Sequence, residues 1–164
     1  MTIAAGLVAL ALLGLALLGL RRARRRPSVI VDGSNVLFWD GGTPSLATVG
    51  KVVDHLRAQG CKVGVIFDAN VGYRIGTRYL DDADLARPLC LPADRVLVVP
   101  KGTPADAYVL RAARDMGARV VSNDRFRDWA TDWPEVTQPG FLIRGGVRDG
   151  RVWVDTGSNS ARAA

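Results

Sequence analysis

A chain of 164 residues is long enough for one domain with a buried core and too short for two ordinary ones. Its formal charge of +6 does not describe a broadly basic surface, because the five arginines between Arg21 and Arg26 supply all but one unit of it. Two cysteines, Cys61 and Cys90, neither in a CxxC pair, argue against a zinc or disulfide framework and agree with a reducing compartment.

Residues 3–20 are Ala, Gly, Leu, Val and Ile only. At about 1.5 Å per residue the run reaches roughly 27 Å, close to the hydrocarbon core of a bilayer. Residues 1–20 are therefore expected to form a transmembrane signal-anchor helix, with 21–27 as a basic juxtamembrane linker. A cleaved signal peptide fits poorly, since the basic cluster follows the apolar run and no small-residue cleavage site comes after it. The positive-inside rule then gives a single-pass membrane protein with its N-terminus out and residues 28–155 in the cytoplasm, and an apolar helix leaves a homodimer open.

Ser28 to Asp32 (SVIVD) reads as a buried strand opening into a tight loop at Gly33-Ser34-Asn35. After a Gly-rich loop, Ser45 caps a helix running to about Gln59, with Leu46, Val49, Val53 and Leu56 at helical spacing and Gly60 as its stop. His55 lies in this helix, at a surface or half-buried position. Lys62 to Asp68 (KVGVIFD) is a second strand ending in an acid, with Cys61 as a buried thiol at its start. Ala69 to Ala93 reads as irregular and polar; the Tyr and Arg residues of its GYRIGTRY stretch either touch nucleic acid or cover the sheet edge. Asp94 to Pro100 is a third strand, followed by Thr103 as cap, Pro104 in the first turn, and a helix to about Met116 that carries Asp106 near its start and Ala107, Leu110 and Ala113 on one side.

Gly117 stops that helix, and RVVSNDRFRD (Arg119 to Asp128) follows. Val120 and Val121 read as a short strand, and Ser122, Asn123 and Asp124 as helix-capping residues. A helix is expected from Asp124, which would put Asp124 and Asp128 at i, i+4 on one face near the positive end of the dipole. FLIRGGVRDGRVWVD suggests a terminal hairpin turning at Asp149-Gly150, and residues 156–164 a frayed tail.

Alternating strands and helices predict an α/β fold with a mainly parallel sheet, helices on both faces and ligands bound outside the carboxyl ends of the strands. Asp32, Asp68 and Asp124 stand at strand ends, and Asp106 and Asp128 in first helical turns. Acids gathered in this way need a cation, and carboxylates without thiolates or imidazoles select Mg²⁺ or Mn²⁺. The plainer alternative is that Asp124 only caps a helix while Asp128 pairs with Arg125 or Arg127. The single histidine puts paired-histidine and Ser-His-Asp chemistry out of reach, and no GxxxxGK[ST] loop occurs. An all-aspartate site suits metal-assisted phosphodiester hydrolysis. Ser34 and Asn35 could serve such a site through a water or a phosphate, or simply bond the turn.

VDGSNV (Val31 to Val36) together with VVSNDRFRD (Val120 to Asp128), with the Asp106 helix between them, resembles the NYN domain of the PIN-like ribonuclease superfamily, Regnase-type group. The resemblance runs from about Val29 to Asp155. It implies a PIN-like, Rossmannoid three-layer fold and a metal-dependent endoribonuclease acting on single-stranded or loop RNA. Asp32 would be a metal ligand, Asp106 a ligand or water-orienting acid, and Asp124 and Asp128 the remaining acids, with Asp68 a candidate by position alone. Regnase-type domains usually carry two adjacent acids at the start of the middle helix, and here the first is Ala105. The zinc finger of animal members is absent. RNA affinity would fall to Arg74, Lys101, Arg125 and Arg127, with Ser34, Asn35 and Asn123 as substrate-side polar groups, or to the Arg run. Three functions compete: a membrane-tethered ribonuclease, an RNA-binding module of the same fold with weakened catalysis, and a receiver-like phosphotransfer domain. The receiver expects paired acids after its first strand, which DGSN does not supply.

Overall fold

The computed structural model describes residues 26–155. The expected membrane helix, most of the basic linker and the C-terminal tail lie outside these residues; among the described residues no helix is long and apolar enough to cross a membrane.

In β1 (Ser28–Asp32) the three central β-branched residues are all buried, because both faces of the strand are covered. Val29 and Val31 point into one core and Ile30 into the other. The chain turns at once into the single helical turn α1 (Gly33–Val36) and then, past the Gly-rich loop, into α2 (Leu46–Ala58). The apolar stripe of α2 is Val49, Val52, Val53 and Leu56. Ser45 stands at its N-cap in extended conformation but makes no side-chain capping bond. β2 (Lys62–Phe67) follows, and Cys61 just before it is buried, which raises its thiol pKa through desolvation against the opposing field of Arg119.

Residues 69–93 are not irregular: they form two short helices, α3 (Val71–Ile75) and α4 (Asp82–Ala86). The second is held by a capping box between Asp81 and Asp84, on a helix too short to stand out by periodicity. The third strand is also shorter than expected. Ala93–Arg95 form a 3-10 turn and only Val96–Val98 pair as β3. Pro104, in extended conformation, takes the N-cap position expected for Thr103, and α5 spans Ala105–Met116, ending at Gly117 in the left-handed region at φ 57. Its buried residues are Ala105, Val109, Leu110 and Ala113, whereas Ala107 is half-buried.

After β4 (Arg119–Val121) the expected helix at Asp124 does not form; short 3-10 turns stand at Arg127–Trp129 and Pro134–Thr137 instead. Two contacts redirect the chain. Asp124 Oδ1 accepts the Phe126 N–H at 2.7 Å, closing a side-chain turn, and Phe126 adopts φ 49 so that its ring is buried in the second core. The FLI stretch also departs from expectation. Leu142–Ile143 pair in parallel with β4 as β5, and the hairpin begins only at β6 (Gly145–Arg148), turning back into β7 (Arg151–Val154). The turn is where it was expected: Asp149 and Gly150 both have positive φ, the geometry of a two-residue hairpin.

The five parallel strands lie in the order β3-β2-β1-β4-β5. α2 and α4 pack on one face and α5, with the 3-10 turns after β4, on the other, giving three layers. Strand order reverses direction between β1 and β4, so the crevice beyond their carboxyl ends is the topological switch point. A receiver-like fold would have the order 2-1-3-4-5, which this sheet does not.

Candidate active site

The crevice is built outward from Asp32. The carboxylate leaves the end of β1 at only 6% exposure. Its Oδ1 accepts the Asn35 backbone N–H at 3.1 Å, and its Oδ2 accepts the Ser122 hydroxyl at 2.8 Å from the end of β4. Gly33 is required beside it, since a Cβ there would fall 2.4 Å from the Phe67 ring. Burial raises the Asp32 pKa to about 6; the bonds from Ser122 and Asn35 oppose the rise, and the fields of Asp106 and Asp68 add to it.

Asp106, in the first turn of α5, accepts the Trp129 indole N–H at 3.1 Å. Its pKa is also raised, first by burial and then by the fields of Asp124 and Asp68, against the Trp129 bond. Asp106 thus lies within electrostatic reach of Asp32, Asp68 and Asp124, and Asp32 within reach of Asp68 as well, at one edge of the sheet. Among the described residues none of the four has a cationic ion-pair partner.

The structure places the remaining candidates less evenly. Asp128 is exposed and does not share a helical face with Asp124, because that helix is absent; both line an open depression of about 680 Å³ with Asn35, Asn123, Arg125 and Arg127. Neither Arg125 nor Arg127 forms a salt bridge with Asp128 among the described residues. Ser34 accepts the Asp68 backbone N–H at 2.8 Å, tying the ends of β1 and β2 together. Asn35 Oδ1 accepts both the Trp39 indole N–H at 2.9 Å and the Asn123 backbone N–H at 3.0 Å. Asn123 clamps the hairpin, its Nδ2 donating to Gly145 O at 2.8 Å and its Oδ1 accepting Gly145 N–H at 3.2 Å. Lys101 is exposed in the loop between β3 and α5. Arg74 is exposed on α3, its Nε donating to Asn70 at 3.2 Å and its guanidinium 5.8 Å from the Phe38 ring. His55 is half-buried on α2 beside Gln59, far from this edge in the fold.

Ser122 and Trp129 were not distinguished by sequence reasoning as site groups. Ser122 is fully buried, and besides serving Asp32 its Oγ accepts the Asp124 backbone N–H at 3.1 Å, so one hydroxyl links two acids. Its signal was its place immediately after a buried strand. Trp129 gave none, because a helix from Asp124 would have aimed it elsewhere.

Among the described residues no group of three acidic, histidine or cysteine side chains stands close enough to hold one metal ion directly. Mg²⁺ is commonly held by one or two carboxylates with water completing its shell. The oxygen-only donors and the mutual repulsion of four unpaired carboxylates fit a hydrated ion of that kind.

A five-stranded parallel sheet with carboxylates at the switch point is an α/β fold of the PIN-like kind. The chain belongs to the Zc3h12a-like ribonuclease NYN domain family, which it matches over residues 25–140. Its fold is also similar to two solved structures of the nuclear protein-only RNase P 2 of Arabidopsis thaliana. One has a TM-score of 0.58 at 16% identity, covering 94% of this chain and 36% of that one. The other has a TM-score of 0.50 at 20% identity, covering 92% and 34%. The chain therefore spans about a third of those proteins, and the likeness is one of fold. No curated protein matches the sequence.

Proposed function

We propose that the chain is a metal-dependent endoribonuclease, tethered to a membrane by residues 1–20, that hydrolyses phosphodiester bonds of single-stranded or loop RNA. The observation that carries this reading is the gathering of Asp32, Asp68, Asp106 and Asp124 without a cationic partner among the described residues. Asp32, Asp106 and Asp124, with Asp68 beside them, would hold a hydrated Mg²⁺ or Mn²⁺, in part through its water shell. Bound there, the ion would supply polarisation of the scissile phosphate and activation of a water.

The protein's own groups do the rest. Ser122 and Asn35 fix the Asp32 carboxylate in place. Trp129 orients Asp106. Arg125 and Arg127, on the same depression as Asp124 and Asp128, attract the phosphate backbone. The Arg run would hold the domain against anionic headgroups, and the apolar segment is also the natural place for a homodimer contact.

Two observations favour a second reading, an RNA-binding module with weakened catalysis: Ala105 is buried in the core where an acid was expected, and no three acids directly enclose an ion site among the described residues. One assay decides. The chain, in detergent, is incubated with labelled single-stranded RNA after EDTA treatment and again after Mg²⁺ or Mn²⁺ is restored. Internal cleavage that disappears with EDTA and returns with the ion is expected. Binding without cleavage under both conditions would assign the module, and cleavage that survives chelation would overturn the metal site.

A further inference from the structure

The hairpin of β6 and β7 lies beyond residues 25–140, the part matched by the ribonuclease family. Its inner face is settled: Val152 and Val154 pack on the first core. The outer face is not explained by packing. It carries Gly146 opposite Trp153 and Arg148 opposite Arg151.

Trp153 lies across Gly146. A Cβ on that glycine would stand 3.0 Å from the indole Nε1 and 3.3 Å from Cε2, so the ring lies close against the glycine and a larger residue would push it outward. The indole is nevertheless 45% exposed, leaving π surface in water. Beside it, Arg148 and Arg151 are directly opposed across the strands, an arrangement in which like charges destabilise a hairpin. Both are exposed, and among the described residues neither has an acidic partner. Asp149, between them in the turn, sits with these three residues on a groove of about 360 Å³. A stacking ring flanked by two unneutralised guanidiniums is the equipment that holds a base and its phosphates. The face is joined to the acidic crevice through Gly145, whose carbonyl accepts from Asn123 Nδ2, whose N–H donates to Asn123 Oδ1, and which lies against the Trp39 ring that bonds Asn35.

We infer that the outer face of this hairpin is a docking subsite for single-stranded RNA, in which Trp153 stacks on a base and Arg148 and Arg151 hold adjacent phosphates of a strand that runs on into the crevice. The inference rests on the ribonuclease reading for the choice of RNA over other polyanions. Trp and Arg side chains also suit an anionic lipid surface; the continuity with the crevice favours RNA.

The test uses the full chain in detergent, a short labelled single-stranded RNA, and EDTA to prevent cleavage. Trp153→Ala should weaken binding roughly 5- to 150-fold, the range for loss of one stacked base. Arg148→Gln with Arg151→Gln should lower the slope of log affinity against log salt by about 1.4, near 0.7 for each phosphate that is no longer neutralised. Trp153→Phe should keep most of the affinity while losing the share of the RNA-induced tryptophan quenching that Trp153 contributes, which protects the result if Trp153→Ala unfolds the hairpin. Unchanged affinity and slope in the Arg double variant, together with quenching undiminished in Trp153→Phe, would overturn the subsite. So would variants that bind RNA normally but lose binding to vesicles containing anionic lipid. A wild-type chain that cleaves RNA with a KM shared by all variants would remove the subsite and leave the nuclease, whereas hairpin-dependent binding without any cleavage would remove the nuclease and leave the subsite.

Discussion

The two loops that frame the crevice leave neighbouring strands and hold their acids in opposite ways. After β1 the chain enters a helical turn at once, and Asp32 is buried, bonded at both oxygens, with Gly33 pressed on Phe67. After β4 the chain stays open, Phe126 takes a left-handed backbone at φ 49, and Asp124 and Asp128 are exposed beside Arg125 and Arg127. A bulky residue at positive φ costs on the order of 1–3 kcal/mol, and here the burial of its ring and the Asp124 turn offset it. One loop thus presents a rigid, desolvated carboxylate that titrates near neutrality; the other presents solvated acids and cations to an incoming chain.

Substituting an acid in each loop should break activity alike and stability differently. Asp32→Asn and Asp124→Asn should each lower the initial rate of RNA cleavage by at least about 100-fold. In thermal melts above pH 6 without divalent cations, Asp32→Asn should be more stable than wild type, because a buried charge is removed, whereas Asp124→Asn should melt close to wild type. Equal melting of Asp32→Asn and wild type at that pH would show that the Asp32 burial is not felt.

The same carboxylate sets a pH dependence. Its folded pKa of about 6 lies above its ordinary 3.8, so the native state binds the extra proton between those values. Its contribution to stability is fully present below about pH 4 and is lost as pH rises through about 6, by at most about 3 kcal/mol. Denaturant unfolding without divalent cations across that range should show the fall, and Asp32→Asn should flatten it.

Smaller effects sharpen the structural half of the comparison. Gly33→Ala forces a methyl group against Phe67 and should cost about 1–3 kcal/mol in denaturant melts. His55→Ala, on a half-buried site away from the crevice, should change stability by less than about 0.5 kcal/mol and leave cleavage intact.

What was legible in the sequence follows from how local its cause is. The SVIVD strand, the helix after Ser45 and the Asp149-Gly150 turn are set by neighbouring residues, and the structure has them where they were expected. The helix expected at Asp124 is absent because Ser-Asn-Asp caps and side-chain turns use the same residues; the choice is made by Phe126, whose core partners are distant in sequence. β5 was hidden for a similar reason: a strand of two residues has no period, and its partner β4 alone reveals it. For the acids, position at strand ends located the edge of the sheet, but not their relative standing within it. Asp68, weak by resemblance, lies in the fields of both Asp32 and Asp106, while Asp128 stands at the exposed rim.

The claim that these acids exist to hold a divalent cation is tested most directly by calorimetric titration of Mg²⁺ or Mn²⁺ into the full chain, with Asp32→Asn beside it. The account predicts binding in the wild type that releases about half a proton from Asp32 at pH 6 and almost none at pH 8, and loss of that binding in the variant. Absence of cation binding in the wild type, or binding undiminished in Asp32→Asn, would contradict it.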